Sequence, residues 1–215
     1  MTTMQDYLAF AAIATLVVVS PGPATFLVLK NTPVQGRGAG LLNAAGIVAA
    51  VLSHAALALL GVSSIILTTP IAFQLIKYLG GAYLAYLGII AIRGAWGSID
   101  FSAALEARSA VVNVSAPAAL AEGWLVNILN PKPSMFYLSI FPQFINPTHG
   151  LIGQGVALAG IHAAIAASWF TIVVFGIDKV RAILQQPAIW CAVKAATGLI
   201  FIGLAARLAT IGLPT

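Results

Sequence analysis

A chain of 215 residues that is 60% hydrophobic and 7% charged, with a mean hydropathy of +1.01, cannot cover a water-soluble surface of its size, so it specifies an integral membrane protein. The formal charge of +5 is scattered through short connections, which fits the positive-inside pattern and argues against nucleic-acid binding. Cys191 is the single cysteine, excluding an internal disulfide and a cysteine-rich metal site.

The opening Met1-Thr2-Thr3-Met4-Gln5-Asp6 has no basic residue ahead of the first apolar run, so that run is expected to be retained. A spanning helix needs about 20 apolar residues. Six segments qualify, at 6–29, 40–67, 71–92, 118–144, 151–176 and 188–211. The expected fold is all-α, with six transmembrane helices. Between the third and fourth lies the least apolar stretch, with Asp100, Glu106 and Arg108. It divides one membrane domain into a first three-helix repeat at 1–93, a cytoplasmic linker at 94–117 and a second repeat at 118–215.

The two halves resemble each other. Pro21-Gly22-Pro23 interrupts the first expected helix and Pro131-Lys132-Pro133 the fourth. Ala45-Gly46-Ile47-Val48-Ala49-Ala50 in the second matches Ala159-Gly160-Ile161-His162-Ala163-Ala164 in the fifth, and Lys77 with Gly81 in the third matches Lys194 with Gly198 in the sixth. Three helices is an odd number, so a duplicated unit enters the membrane from opposite sides. The reading is two inverted repeats with broken helices 1 and 4, the arrangement that marks a transporter's binding site. Lys30 and Arg37, Arg93 and Arg108, and Lys179 and Arg181 follow helices one, three and five, while the connections after two and four lack Lys and Arg. The odd connections are therefore expected to be cytoplasmic and both termini extracytoplasmic, with Arg207 the exception.

The proline breaks carry the sharpest functional expectation. Each proline removes an amide hydrogen and disrupts the preceding turn, and freed backbone groups survive in hydrocarbon only where they line a protected cavity. Pro23 and Pro133 are expected to begin new half-helices, whose positive ends attract an anion such as a substrate carboxylate. Lys132, an intramembrane cation, would pair with that carboxylate or, without substrate, with Glu122 or an unwound carbonyl. The competing reading is that both breaks are packing kinks, against which the repeat symmetry argues. Asn127, Asn130 and Gln143 both donate and accept, as a zwitterionic headgroup requires, and Asn43 is expected to reach the same cavity. The expected substrate-binding set is Pro21, Gly22, Pro23, Asn43, Asn127, Asn130, Pro131, Lys132 and Gln143.

Gly46 and Ala50, and Gly160 and Ala164, are small residues four apart and read as helix packing. His54, whose repeat partner is Ser168, either carries a proton or bonds a neighbouring carbonyl. His162 is the less favoured carrier and His149 a loop residue. Glu122 is expected at headgroup level, and Trp96, Trp124, Trp169 and Trp190 as interface anchors.

Ser20-Pro21-Gly22-Pro23 before Phe26-Leu27-Val28-Leu29, the glycines 36, 38 and 40, Tyr83-Leu84-x-Tyr86-Leu87-Gly88, and Asn130-Pro131-Lys132 leading to Phe141-Pro142-Gln143-Phe144 together resemble the lysine exporter (LysE/RhtB) superfamily of bacterial amino-acid exporters. The resemblance spans essentially the whole chain. It implies a bacterial inner-membrane efflux carrier driven by the proton gradient, with Pro21, Gly22 and Pro23 as one gate element and Asn130, Pro131 and Lys132 as the other. Many members carry Asp or Asn directly after the first Pro-Gly-Pro, where this chain has Ala24. His54 and Glu122 become the proton-coupling candidates in its stead.

The expected partners are a small amino acid or derivative, protons, the lipid bilayer and, as an assembly the sequence allows, a second copy in a homodimer. No nucleic acid, cofactor or metal is expected. The alternatives are a passive channel for small solutes and an intramembrane enzyme. The chain has no His-Glu-x-x-His and no Gly-x-Ser-x-Gly motif.

Overall fold

The computed structural model describes residues 3–68, 70–94, 114–146, 150–184 and 186–210. Asp100, Glu106 and Arg108 of the expected linker, Trp96 and His149 lie outside them, as do the side chains of Lys77, Arg181, Trp190 and Arg207. Every regular element among the described residues is helical.

Helix α1 spans Met4–Val19. It begins earlier than hydropathy indicates because Thr3 and Asp6 form a capping box. Asp6 N donates to Thr3 Oγ1 at 3.3 Å and Thr3 N to Asp6 Oδ2 at 2.8 Å, satisfying two amides that the helix start leaves free. Helix α2, Pro23–Thr68, contains one non-helical residue, Gly36, at φ 85 and ψ 167. Only glycine adopts that conformation without strain, so the chain kinks there between two helical rods. The first rod runs past Leu29, which puts Lys30 inside a helix and not in the expected connection.

Helix α3 spans Pro70–Arg93, and α4 spans Ala116–Ile128. The chain then breaks and restarts as α5, Pro131–Met135, which passes into a π turn at Phe136–Ile140 and a 3-10 turn at Phe141–Phe144. Helix α6 is Leu151–Phe175, a short α7 is Ile177–Leu184 and α8 is Pro187–Thr210. The sequence treats α7 as plain connection. Four helices, α2, α3, α5 and α8, start on proline, where the missing amide hydrogen has no helical partner to lose. Of the described helices, 23–61 and Leu151–Phe175 are long and apolar enough to cross a membrane by length and composition. Large apolar side chains face outward along several helices, among them Leu8, Leu57, Ile152 and Leu199, the opposite of a water-facing pattern.

The core gathers on the segment after the second break. Phe10 of α1 packs on Phe136 and Phe144, with ring centroids 5.4 Å apart in both pairs, and on Phe141 at 6.2 Å. Two glycine crossings bring backbones into contact. A Cβ on Gly46 would lie 2.7 Å from Trp124 N, and one on Gly123 2.8 Å from the Asn43 carbonyl carbon, so α2 and α4 touch along their main chains. Gly88 and Gly198 do the same for α3 and α8, with a Cβ on either meeting the other's carbonyl oxygen at 2.7 and 2.6 Å. Gly160, the repeat counterpart of Gly46, faces open space. The matching sequence around it does not bring a matching contact.

Candidate functional site

The first break follows from two prolines that cannot donate. Helix α1 ends with Ser20 N donating to Leu16 O at 3.0 Å, and the Gly22 carbonyl accepts the first bond of α2, from Phe26 N at 3.0 Å. Between them the Ser20 carbonyl stands at the negative end of the α1 dipole.

The second break is organised by Asn130. Its Oδ1 caps the new helix by accepting from Lys132 N at 3.0 Å, and its carbonyl accepts from Ser134 Oγ at 2.9 Å. Pro131, not Pro133, is therefore the first helical residue. Lys132 lies in that helix's first turn, the end least hospitable to a cation. Its side chain reaches away from it, and Nζ donates to the Ser20 carbonyl at 2.7 Å. The ammonium group thus crosses from a positive helix end to a negative one, tying together two breaks 112 positions apart. Gly22 makes room, since a Cβ there would come to 3.2 Å from Nζ.

A cavity of about 30 Å³ lies at this junction, bordered by Thr25, Asn127, Asn130, Lys132 and His162 on its polar side and by residues including Val17, Ala24, Ile47, Val51, Pro133 and Phe170 on its apolar side. That volume holds about two waters and no amino acid. Of the expected binding residues, Pro21, Gly22, Pro23, Asn43, Pro131 and Gln143 are not among its lining residues, and neither is Ser20; the first break meets the cavity through the flanking Val17, Val18, Ala24 and Thr25.

Asn43 belongs to a second polar cluster. Asn31 Nδ2 donates to Asn43 Oδ1 and to Glu122 Oε2, both at 2.9 Å, and Asn43 Nδ2 donates to the Ala119 carbonyl at 2.7 Å. Glu122 is thus half-buried and bonded to α2, and the carbonyl of Ser20, not Glu122, is the partner of Lys132. Further ties run along the same interface. Asn127 Nδ2 donates to the Ile47 carbonyl at 3.1 Å, and the Trp124 indole donates to Ser53 Oγ at 3.2 Å, placing Trp124 between helices and not as a simple anchor. Asn43→Leu removes one donor and one acceptor, taking from Asn31 one of its two acceptors and from the Ala119 carbonyl its side-chain donor. It is expected to cost about 1–3 kcal/mol, read as a lower Tm of the purified protein in detergent.

Three rings form a buried column next to the cavity. Tyr137 stacks between His54 and His162, with centroids 6.0 and 5.4 Å away and planes within 18° and 20°. The Tyr137 hydroxyl lies 3.0 Å from His162 Nδ1, and His54 Nε2 lies 3.3 Å from the Asn127 carbonyl, to which it must donate. Tyr137 sits on the π turn, a distortion often found at functional positions. The sequence marks Ser20 only as part of the Ser20-Pro21-Gly22-Pro23 motif, and it does not single out Tyr137 or Asn31. An uncharged polar residue within an apolar helix was the available signal for Asn31, and the tyrosine following the second proline break for Tyr137.

Comparison with known proteins matches residues 15–212 to the profile of the LysE type translocators. The chain is 35% identical over 205 residues to YrhP, an uncharacterized membrane protein of Bacillus subtilis, covering 93% of this chain and 96% of that one. It is 30% identical over 211 residues to a leucine efflux protein of Klebsiella pneumoniae and 31% identical over 210 residues to one of Salmonella choleraesuis, in both cases covering 96% of this chain and 95% of the relative. No solved structure matches.

Proposed function

The chain belongs to the LysE type translocator family of membrane transporters, and on that premise we propose that it is a secondary transporter exporting amino acids, or small zwitterions built like them, from the cytoplasm. The observation that carries this reading is the 2.7 Å contact between Lys132 and the Ser20 carbonyl, which joins both helix breaks at one cavity with a polar and an apolar side. The leucine efflux proteins among its relatives support the amino-acid class, and a family of transporters supports a role other than catalysis.

In this reading the substrate carboxylate pairs with Lys132 and Asn130, Asn127 contributes at the same wall, and Pro21, Gly22 and Pro23 form the facing gate. The cavity must widen to admit an amino acid, so transport requires the two breaks to part. The helices form six spans in two inverted halves in the bacterial inner membrane, with both termini extracytoplasmic. The test is efflux of leucine and other amino acids from proteoliposomes under an imposed proton gradient. Export of none of a broad panel would end the reading.

Proton coupling is part of the proposal. His54 communicates with the cavity through the Tyr137 and His162 rings, and Glu122 is the carboxylate held by Asn31. His54→Ala and Glu122→Ala are each expected to reduce gradient-driven efflux while sparing exchange of substrate for substrate. Full gradient-driven efflux in both variants removes these two residues from the coupling role.

A further inference from the structure

The cavity contains a donor with no acceptor. Because Asn130 Oδ1 is fixed on Lys132 N, the amide is oriented, and its Nδ2 is left buried without a hydrogen-bond partner in a residue only 4% exposed. Lys132 borders the same cavity, so two residues with nitrogen donors, Asn130 and Lys132, share one lining. Among the described residues no carboxylate borders the cavity, and Ala24 lines its wall. A zwitterion entering here finds donors for its carboxylate but no acidic side chain for its α-ammonium group. The lining includes the Thr25 hydroxyl, and a further acceptor beyond the lining is bonded to Lys132 itself. The Ser20 carbonyl, at the negative end of α1, already binds an ammonium group at 2.7 Å, that of Lys132.

We propose that the Ser20 carbonyl is the subsite for the substrate's α-ammonium group and that Lys132 fills it when the transporter is empty. Loading is then an exchange of ammonium groups. The substrate's ammonium takes the carbonyl, while its carboxylate draws Lys132 Nζ and the free amide of Asn130. No carbonyl or ammonium group is left unpartnered at any stage of rest, and the unfilled valence of Asn130 is satisfied only in the loaded state. This rests on the export reading and adds a rule of substrate choice. Both charges are needed on one α-carbon. A lone carboxylate would pull Lys132 away and strand the carbonyl, and a lone amine would displace one cation with another and leave Lys132 without a counter-ion.

The rule is tested by ligand-induced shifts in Tm of the purified full-length protein, which report binding without transport. The probes are leucine, leucinol, which lacks the carboxylate, and 4-methyl-2-oxopentanoate, which lacks the ammonium group. In the parent, leucine should bind at least about tenfold more tightly than either analogue. In Lys132→Met the carbonyl is vacant and the carboxylate has lost its cation, so the order should reverse, with leucinol gaining about tenfold and leucine falling below it. An oxo acid that binds the parent as well as leucine does overturns the subsite. So does leucinol that binds Lys132→Met no better than the parent. Either result leaves amino-acid export standing, whereas a parent that neither binds nor moves any amino acid in the panel defeats export itself.

Discussion

Replacing Lys132 with methionine should lower gradient-driven leucine efflux from proteoliposomes by about a hundredfold, corresponding to about 3 kcal/mol of lost substrate and transition-state binding. The ammonium group provides the only formal charge among the side chains bordering the cavity other than the titratable His162. A carboxylate arriving without it would be desolvated against an uncharged wall. Folding should survive the change. The variant strands the Ser20 carbonyl, at about 1–3 kcal/mol, but also removes a cation from the membrane interior, which relieves a penalty of about 2.5–3.5 kcal/mol. The expected pattern is therefore lost flux with a Tm close to the parent's. Efflux that stays above about half of the parent's, far from the hundredfold loss that a 3 kcal/mol contact implies, would put the binding site elsewhere.

Gly46→Val should prevent the protein from folding as a monodisperse species, while Gly160→Val should leave it intact. The two glycines occupy corresponding places in matching sequence, Ala-Gly-Ile, yet their surroundings differ. A Cβ at Gly46 meets the main chain of α4, including Trp124 N at 2.7 Å, and main chain cannot rotate away. A Cβ at Gly160 has nothing within 4 Å. Overpacking a tight contact costs about 1–3 kcal/mol where side chains yield, and more where the clash is with backbone. Separating α2 from α4 would also disrupt the Asn43–Ala119, Asn127–Ile47 and Trp124–Ser53 hydrogen bonds. Size-exclusion chromatography of the two variants in the same detergent checks the contrast, and equal behaviour would refute the packing account.

That contrast also shows how far the sequence could be read. The helix breaks were legible because Pro21, Pro23, Pro131 and Pro133 act on their own backbone, locally and without regard to neighbours. The cation at the second break was legible because Lys132 has few permissible environments among apolar residues. Pairings across the fold were not. Asn31 meets Glu122 across 91 positions and Lys132 meets Ser20 across 112, and no local pattern encodes such distances. Asn43 was expected at the same cavity because both are polar, whereas its amide is consumed by Asn31 of α2 and the Ala119 carbonyl of α4. The capping box at Thr3 and Asp6 was visible in principle, but hydropathy counts apolar length and overlooks the polar residues that begin a helix. The ring column illustrates the same limit. Tyr137 lies six residues after Pro131, yet its position between His54 and His162 depends on three separate elements meeting.

Export by alternating access requires a single amino-acid site between the two breaks, open in turn to each side of the membrane. Counterflow detects such a site. Proteoliposomes containing the parent protein are loaded with unlabelled leucine and diluted into a trace of labelled leucine, without any proton gradient. A carrier with one alternating site should draw the label in above its equilibrium level and then release it as the internal pool drains. Label that only rises to equilibrium, at a rate indifferent to what the vesicles contain, would identify a passive pore and contradict the account.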